Sequence, residues 1–224
     1  MKSKAFAAFF LGILAVIWLA GCSSAPKNYS EIPKSTEMKP SEFNPQVLTY
    51  RNPDIDIRLY RKVIVMPVEI YHGQDADWEG VSQEEQQELA SYLYTDVTKA
   101  LQEKDLLATQ PGPGVARLNL ILAGAEKTRP VASTVSHALP IGLALNLGKG
   151  AMGKSGSFMG TATVGGDFTD STTGALVASF LAKEAPNAMD LKAMVSEWDA
   201  SKKALDKVAQ QIADRLEKIR LGEK

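Results

Sequence analysis

The chain of 224 residues has one cysteine, Cys22, and two histidines, His72 and His137. A single thiol cannot form an internal disulfide, so an oxidising compartment offers this fold no covalent staple. Two histidines on unrelated stretches, with no cysteine to join them, give no zinc ligand set and little support for a histidine-based triad. Serines are plentiful, but none sits in a G-x-S-x-G elbow. Lys+Arg 25 against Asp+Glu 26 gives a formal net charge of −1. No broad positive field exists to attract nucleic acid or another large polyanion. Internal repeats are also lacking. Without a convergent catalytic set, the chain reads as non-enzymatic and without a cofactor.

Another absence is local. After Lys2 and Lys4, no charged residue occurs from Ala5 to Ala20. The apolar run is short for a membrane-spanning helix and ends abruptly in small residues, the layout of a signal peptide. Its end, Leu19-Ala20-Gly21-Cys22, resembles the lipobox of bacterial lipoproteins. Small residues at Ala20 and Gly21 let a peptidase approach the backbone, and the Cys22 thiol is the nucleophile that takes a diacylglyceryl group. One buried acyl chain holds weakly, at about 0.8 kcal/mol per methylene. The several chains implied by the resemblance make the anchor effectively permanent. Ser23, rather than aspartate, follows the cysteine, which by the rule for enteric lipoproteins implies delivery to the outer membrane.

The expected organisation is a signal peptide over 1–21, a lipidated cysteine with a flexible tether over 22–45, and a single α/β domain over 46–224. The tether reading rests on the Ser, Pro, Lys and Glu that fill the stretch from Ser23 to about Pro45. About 23 flexible residues would reach roughly 25 Å. Lys62–Ile70 is apolar on both alternating faces and predicts a strand covered on both sides, with Pro67 near its end or unpaired. Ser82 with Glu85 forms a capping box for a helix whose stripe is Leu89, Tyr92, Leu93, Val97, Ala100 and Leu101. Glu84, Glu85 and Glu88 suit its positive end and Lys104 its negative end. Ala116–Ala125 predicts a second strand, so strand, helix and strand form a parallel right-handed unit. Phe158–Phe168 and Ala175–Lys183 alternate around the turn residues Asp170–Gly174 and predict a β-hairpin. Leu205, Val208, Ala209, Ile212, Leu216 and Ile219 mark a long final helix over Asp199–Arg220. A short helix over Leu191–Trp198 precedes it. The fold class is therefore α/β (α+β), a mixed four- to five-stranded sheet backed by helices.

Two motifs mimic ligand sites. Gly148-Lys149-Gly150-Ala151-Met152-Gly153-Lys154-Ser155 fits the phosphate-loop pattern letter for letter. A strand pattern follows Ser155 where the motif needs a helix to aim amides at phosphate, so no nucleotide is expected. Asp75-Ala76-Asp77-Trp78-Glu79-Gly80 starts like a calcium loop, but the twelfth position is Gln86 rather than a bidentate carboxylate. No bound metal is expected there. The long segment Val131–Gly160 is of another kind. Leu139, Ile141, Leu143, Leu145, Leu147 and Met152 lie in it without a periodic home. They are the candidate contact for an envelope protein partner or a second copy, unless the segment packs on its own domain.

Leu59–Ile70 and Gly166–Ala178 resemble signatures of a family of proteobacterial lipoproteins of unknown function, the DUF3313 type. The likeness covers most of the mature chain and its motifs are structural, so it implies a fold and no catalytic residues. It implies an architecture similar to small α/β domains of envelope lipoproteins. The resulting expectation is a periplasm-facing lipoprotein of the outer membrane, held by its lipid and acting in binding or assembly. The alternative is an envelope lipoprotein that binds a small lipid or glycan.

Overall fold

The computed structural model describes residues 26–27, 29–127, 160–186, 196 and 198–222. Cys22, His137, the phosphate-loop look-alike, the six apolar candidates from Leu139 to Met152 and residues 191–195 and 197 of the expected short helix lie outside the described residues.

The longest strand, Val115–Ala125, organises the molecule. Ala116, Leu118, Leu120 and Leu122 alternate onto one face and are almost completely buried there. This strand is β5, after β1 (Lys39–Pro40), β2 (Val47–Arg51), β3 (Lys62–Val65) and β4 (Glu69–Ile70). The hairpin strands β6 (Ala162–Asp170) and β7 (Leu176–Glu184) follow. The sheet runs β1-β2-β7-β6-β5-β3, and β4 pairs with β5 beyond β3. Both β3 and β4 are parallel to β5, and the remaining pairs are antiparallel.

Seven strands exceed the four to five expected. The predicted Lys62–Ile70 strand is an edge in two pieces, broken at Met66–Val68. Pro67 cannot donate to a ladder, so the break falls at the residue that forbids pairing. Ile64 is accordingly only partly buried, which corrects the reading of a strand covered on both sides. β1 is two residues long and β2 only five, too short to show a clear alternating pattern.

Helix α1 (Gln83–Glu103) crosses from β4 to β5 and completes the parallel unit. Its capping box forms as read: the Ser82 hydroxyl accepts from the Glu85 N–H and the Glu85 carboxylate accepts from the Ser82 N–H. Leu89, Leu93, Val97 and Leu101 are buried, and each such side chain is worth roughly 1.5–3 kcal/mol. Helix α2 (Asp199–Leu221) packs beside α1 on the same face and ends where Gly222 turns left-handed, φ 76. The main core lies between these helices and the sheet. A second, smaller core lies on the opposite sheet face: Tyr29, Ile32, Leu48, Tyr71, Ala123 and Leu181.

That second core corrects the expected tether. From Tyr29 onward the segment packs on the sheet. Tyr29 is 1% exposed and Ile32 2%. Two apolar side chains three residues apart supply burial that average composition does not register.

Candidate functional site

The strap from Lys27 to Asn44 runs over the open sheet face, and its attachment begins at the loop after β4. Tyr71 closes β4 by donating its N–H to Leu122 O, while Asp77 N–H donates to Ala123 O and Ala125 N–H to Asp77 O. The Trp78 indole N–H donates to Tyr71 O at 2.7 Å. Residues 71–78 are thereby pinned to the C-terminal end of β5. Gly124 permits this approach, because a Cβ there would lie 2.5 Å from Asp77 Cβ.

The strap docks on this platform. Lys27 Nζ lies 2.9 Å from Asp77 Oδ1, and the Tyr29 hydroxyl donates to Asp77 Oδ2 at 3.1 Å. The Tyr29 and Tyr71 rings meet edge to face, 5.4 Å between centroids and 87° between planes. The Tyr71 hydroxyl gives its one proton to Asp75 Oδ1 at 2.5 Å, so Ser30 must donate to the Tyr71 oxygen at 3.0 Å. Burial, then the Asp77 charge, push the Tyr29 hydroxyl well above its ordinary range and keep it a donor. The Tyr71 hydrogen bond draws the Asp75 carboxyl down.

Further along, Ile32 fills the space over Gly165, where a Cβ would come within 2.5 Å of Ile32 Cδ1. The Ser35 hydroxyl donates to Tyr29 O at 2.6 Å, closing a turn within the strap. At the far end Asn44 Nδ2 donates to the buried Glu184 carboxylate at 3.1 Å, which also pairs with Lys207 at 2.6 Å.

The platform belongs to a larger junction. Glu126 N–H donates to Thr161 O, and the Ser201 hydroxyl donates to Glu126 O at 2.7 Å. Lys127 pairs with Glu85 at 2.8 Å and lies over the Trp198 ring, whose indole N–H also donates to Glu85. The Lys127 hydrogen bond and the Ser82 N–H hold the Glu85 carboxyl at about 2. The ends of β5 and β7, the start of β6 and the starts of both helices therefore meet where the strap begins.

The family model described as a protein of unknown function, DUF3313, matches residues 28–212. The chain belongs to this family. The match starts one residue before Tyr29, so the DUF3313 unit includes the strap. A variant PelC dodecamer from Paraburkholderia phytofirmans is 13% identical, covering 78% of this chain and 95% of that chain, with a TM-score of 0.38. A Caulobacter crescentus protein described as a candidate lipoprotein is 14% identical over 72% of this chain and 92% of that one, TM-score 0.36. Protein XCC0632 from Xanthomonas campestris, of the DUF330 model, is 12% identical over 77% and 92%, TM-score 0.38. Scores this low leave the DUF3313 architecture to be read from its own strands. No curated protein matches the chain.

In this DUF3313 chain the calcium-loop carboxylates are committed elsewhere: Asp75 to Tyr71, and Asp77 to Lys27 and Tyr29. Gln86, at the twelfth position, is buried and donates to Val81 O. Among the described residues no group of three or more His, Cys, Asp or Glu is placed to hold a metal. His72 is exposed and lines an open depression of about 560 Å³ with Ser30, Glu31, Gly73, Gln74 and Asp75. Among the described residues no helix is long and apolar enough to cross a membrane. On the open sheet face Asp167 is buried with Asn119 Nδ2 donating to it at 2.7 Å, and burial pushes its carboxyl up. Sequence reading missed Tyr29, Ile32 and Tyr71. The one available signal was an aromatic and a β-branched residue three apart within a polar stretch.

Proposed function

We propose that this DUF3313 chain is a lipoprotein of the outer membrane, anchored through Cys22, that serves the envelope as a non-enzymatic binding or assembly component facing the periplasm. The observation that carries the reading is Leu19-Ala20-Gly21-Cys22 at the end of an uncharged run that follows Lys2 and Lys4. The strap supports it. Lys27 and Tyr29, five and seven positions after the cysteine, dock on a platform whose acidic groups bind the chain itself. Asp75, Asp77 and Glu85 each face a tyrosine, lysine or tryptophan donor, an arrangement suited to holding rather than to turnover. A small-ligand site encloses most of its ligand. The depression beside His72 is open and would leave a small ligand largely exposed, which favours the binding or assembly reading over a lipid or glycan pocket.

The test is the mass of the mature protein and its fractionation. A diacylglyceryl modification on Cys22 and recovery with outer membranes are expected. Cys22→Ala should remove both. An unmodified thiol on the mature wild-type chain would refute the anchor. In-cell crosslinking should yield a species heavier than one copy, and a chain that crosslinks to nothing would refute the binding or assembly role.

A further inference from the structure

We infer that one end of the sheet, the end where β5 stops and the strap begins, is held beside the lipid surface while the opposite end points away. The inference rests on the lipidation proposed at Cys22 and on where Lys27 and Tyr29 attach to the sheet. Lys27 and Tyr29 are docked on Asp77, and Tyr29 is a firm attachment because its ring is fully buried. Seven residue steps separate Cys22 from Tyr29. An extended chain spans at most about 3.3–3.6 Å per residue, so Tyr29 lies within roughly 25 Å of the lipid-bearing residue. A tether running to Pro45 would triple that contour and leave the domain free to present any side.

The rest of the fold gives this leash a direction. β5 rises along its eleven residues from Val115 to Ala125, which places its two ends roughly 33 Å apart. At the Ala125 end stand the 71–78 loop, Lys127, Gly160, Lys183 and Trp198, linked through Asp77, Glu126 and Glu85. At the Val115 end stand Leu59, the 109–114 turn and the 171–174 turn: Arg61 N–H donates to Gly114 O and Ser171 N–H to Val115 O. A leash shorter than the domain's own length, attached at one end, keeps that end next to the bilayer. The chain leaves the described sheet at Lys127 and returns at Gly160 on this same end, since Glu126 N–H and Thr161 O bond directly. The occupant of this face is therefore a phospholipid surface.

The full lipidated chain in phosphatidylethanolamine and phosphatidylglycerol vesicles tests this. Gln74→Cys, at the strap end, and Gln110→Cys, at the far end, are both exposed sites, and the lipidated Cys22 does not compete for label. Each variant is labelled with a fluorophore, and quenching by nitroxide headgroups is measured. Several-fold stronger quenching at position 74 than at 110 is expected. Equal quenching would overturn the orientation. The double variant Tyr29→Ser/Ile32→Ser, which unhooks the strap, should still float with vesicles but lose most of the difference. A difference that survives unhooking would also overturn the proposal. A wild-type chain that fails to float would overturn the lipid anchor and the orientation with it, a result distinct from floating with equal quenching. If the double variant does not fold, the two labels on the otherwise native chain decide alone.

Discussion

Replacing Tyr29 by alanine should release the strap while leaving the helical layer folded. The ring is 1% exposed and packs edge to face on Tyr71. Deleting a buried aromatic side chain costs about 3–5 kcal/mol, of which the hydroxyl bond to Asp77 is about 1 kcal/mol. Tyr29→Phe isolates that smaller part. The main core does not include Tyr29, so the loss falls on the local equilibrium between docked and released strap. A loss of about 3 kcal/mol raises the released population roughly a hundredfold. Tryptic cleavage after Lys34 reports that population when reclosing is fast. The purified mature variant should therefore be cut at Lys34 about a hundredfold faster than wild type, with Tyr29→Phe about fivefold faster. The helical circular-dichroism signal should persist in both. Rapid cleavage at Lys34 in the wild type, unchanged by either substitution, would show that residues 29–45 are a free tether and that the second core contributes nothing.

Other outcomes follow from the same contacts. Ser82→Ala removes the hydroxyl half of the capping box, a loss of about 1 kcal/mol, so thermal unfolding should move down by about 2–4 °C. Burial raises the Asp167 carboxyl, so the native state keeps that proton to higher pH than the unfolded chain does. Its favourable contribution is complete below the unfolded value near 4 and is lost as pH rises through the native value. Asp167→Asn should therefore raise the melting temperature at pH 7, and the gain should vanish on acidification. Asp170 behaves oppositely. The Thr173 and Thr172 amides and the Tyr60 hydroxyl hold it at about 2, so it stabilises above the unfolded value near 4 and this is lost as pH falls toward 2. Melting curves of Asp170→Asn should show less acid sensitivity between pH 5 and 2 than wild type.

The elements read correctly from sequence are those whose information is local. Ser82 and Glu85 satisfy each other's backbone groups within one turn, and the α1 stripe needs only the helical period to place Leu89, Leu93 and Val97 on one face. The alternation of Leu118, Leu120 and Leu122 and the Asp170–Gly174 turn chemistry are equally local. Membership of the family was legible in Leu59–Ile70 and Gly166–Ala178 for the same reason: those residues build β3, β4 and the hairpin. What tertiary structure alone decided is the fate of the polar stretch after the cysteine. Tyr29 and Ile32 find their partners at Tyr71, Asp77, Gly165 and Leu181, some 40 to 150 residues away. No window of neighbouring residues contains that information, because the free energy comes from surfaces that meet only after β4, β5, β6 and β7 have assembled. Local sequence by itself determined the cap of α1, the periodic faces of the helices and the hairpin turn. The sheet decided that the stretch from Tyr29 onward packs against it, at the end where β5 stops, because only the assembled strands offer that surface.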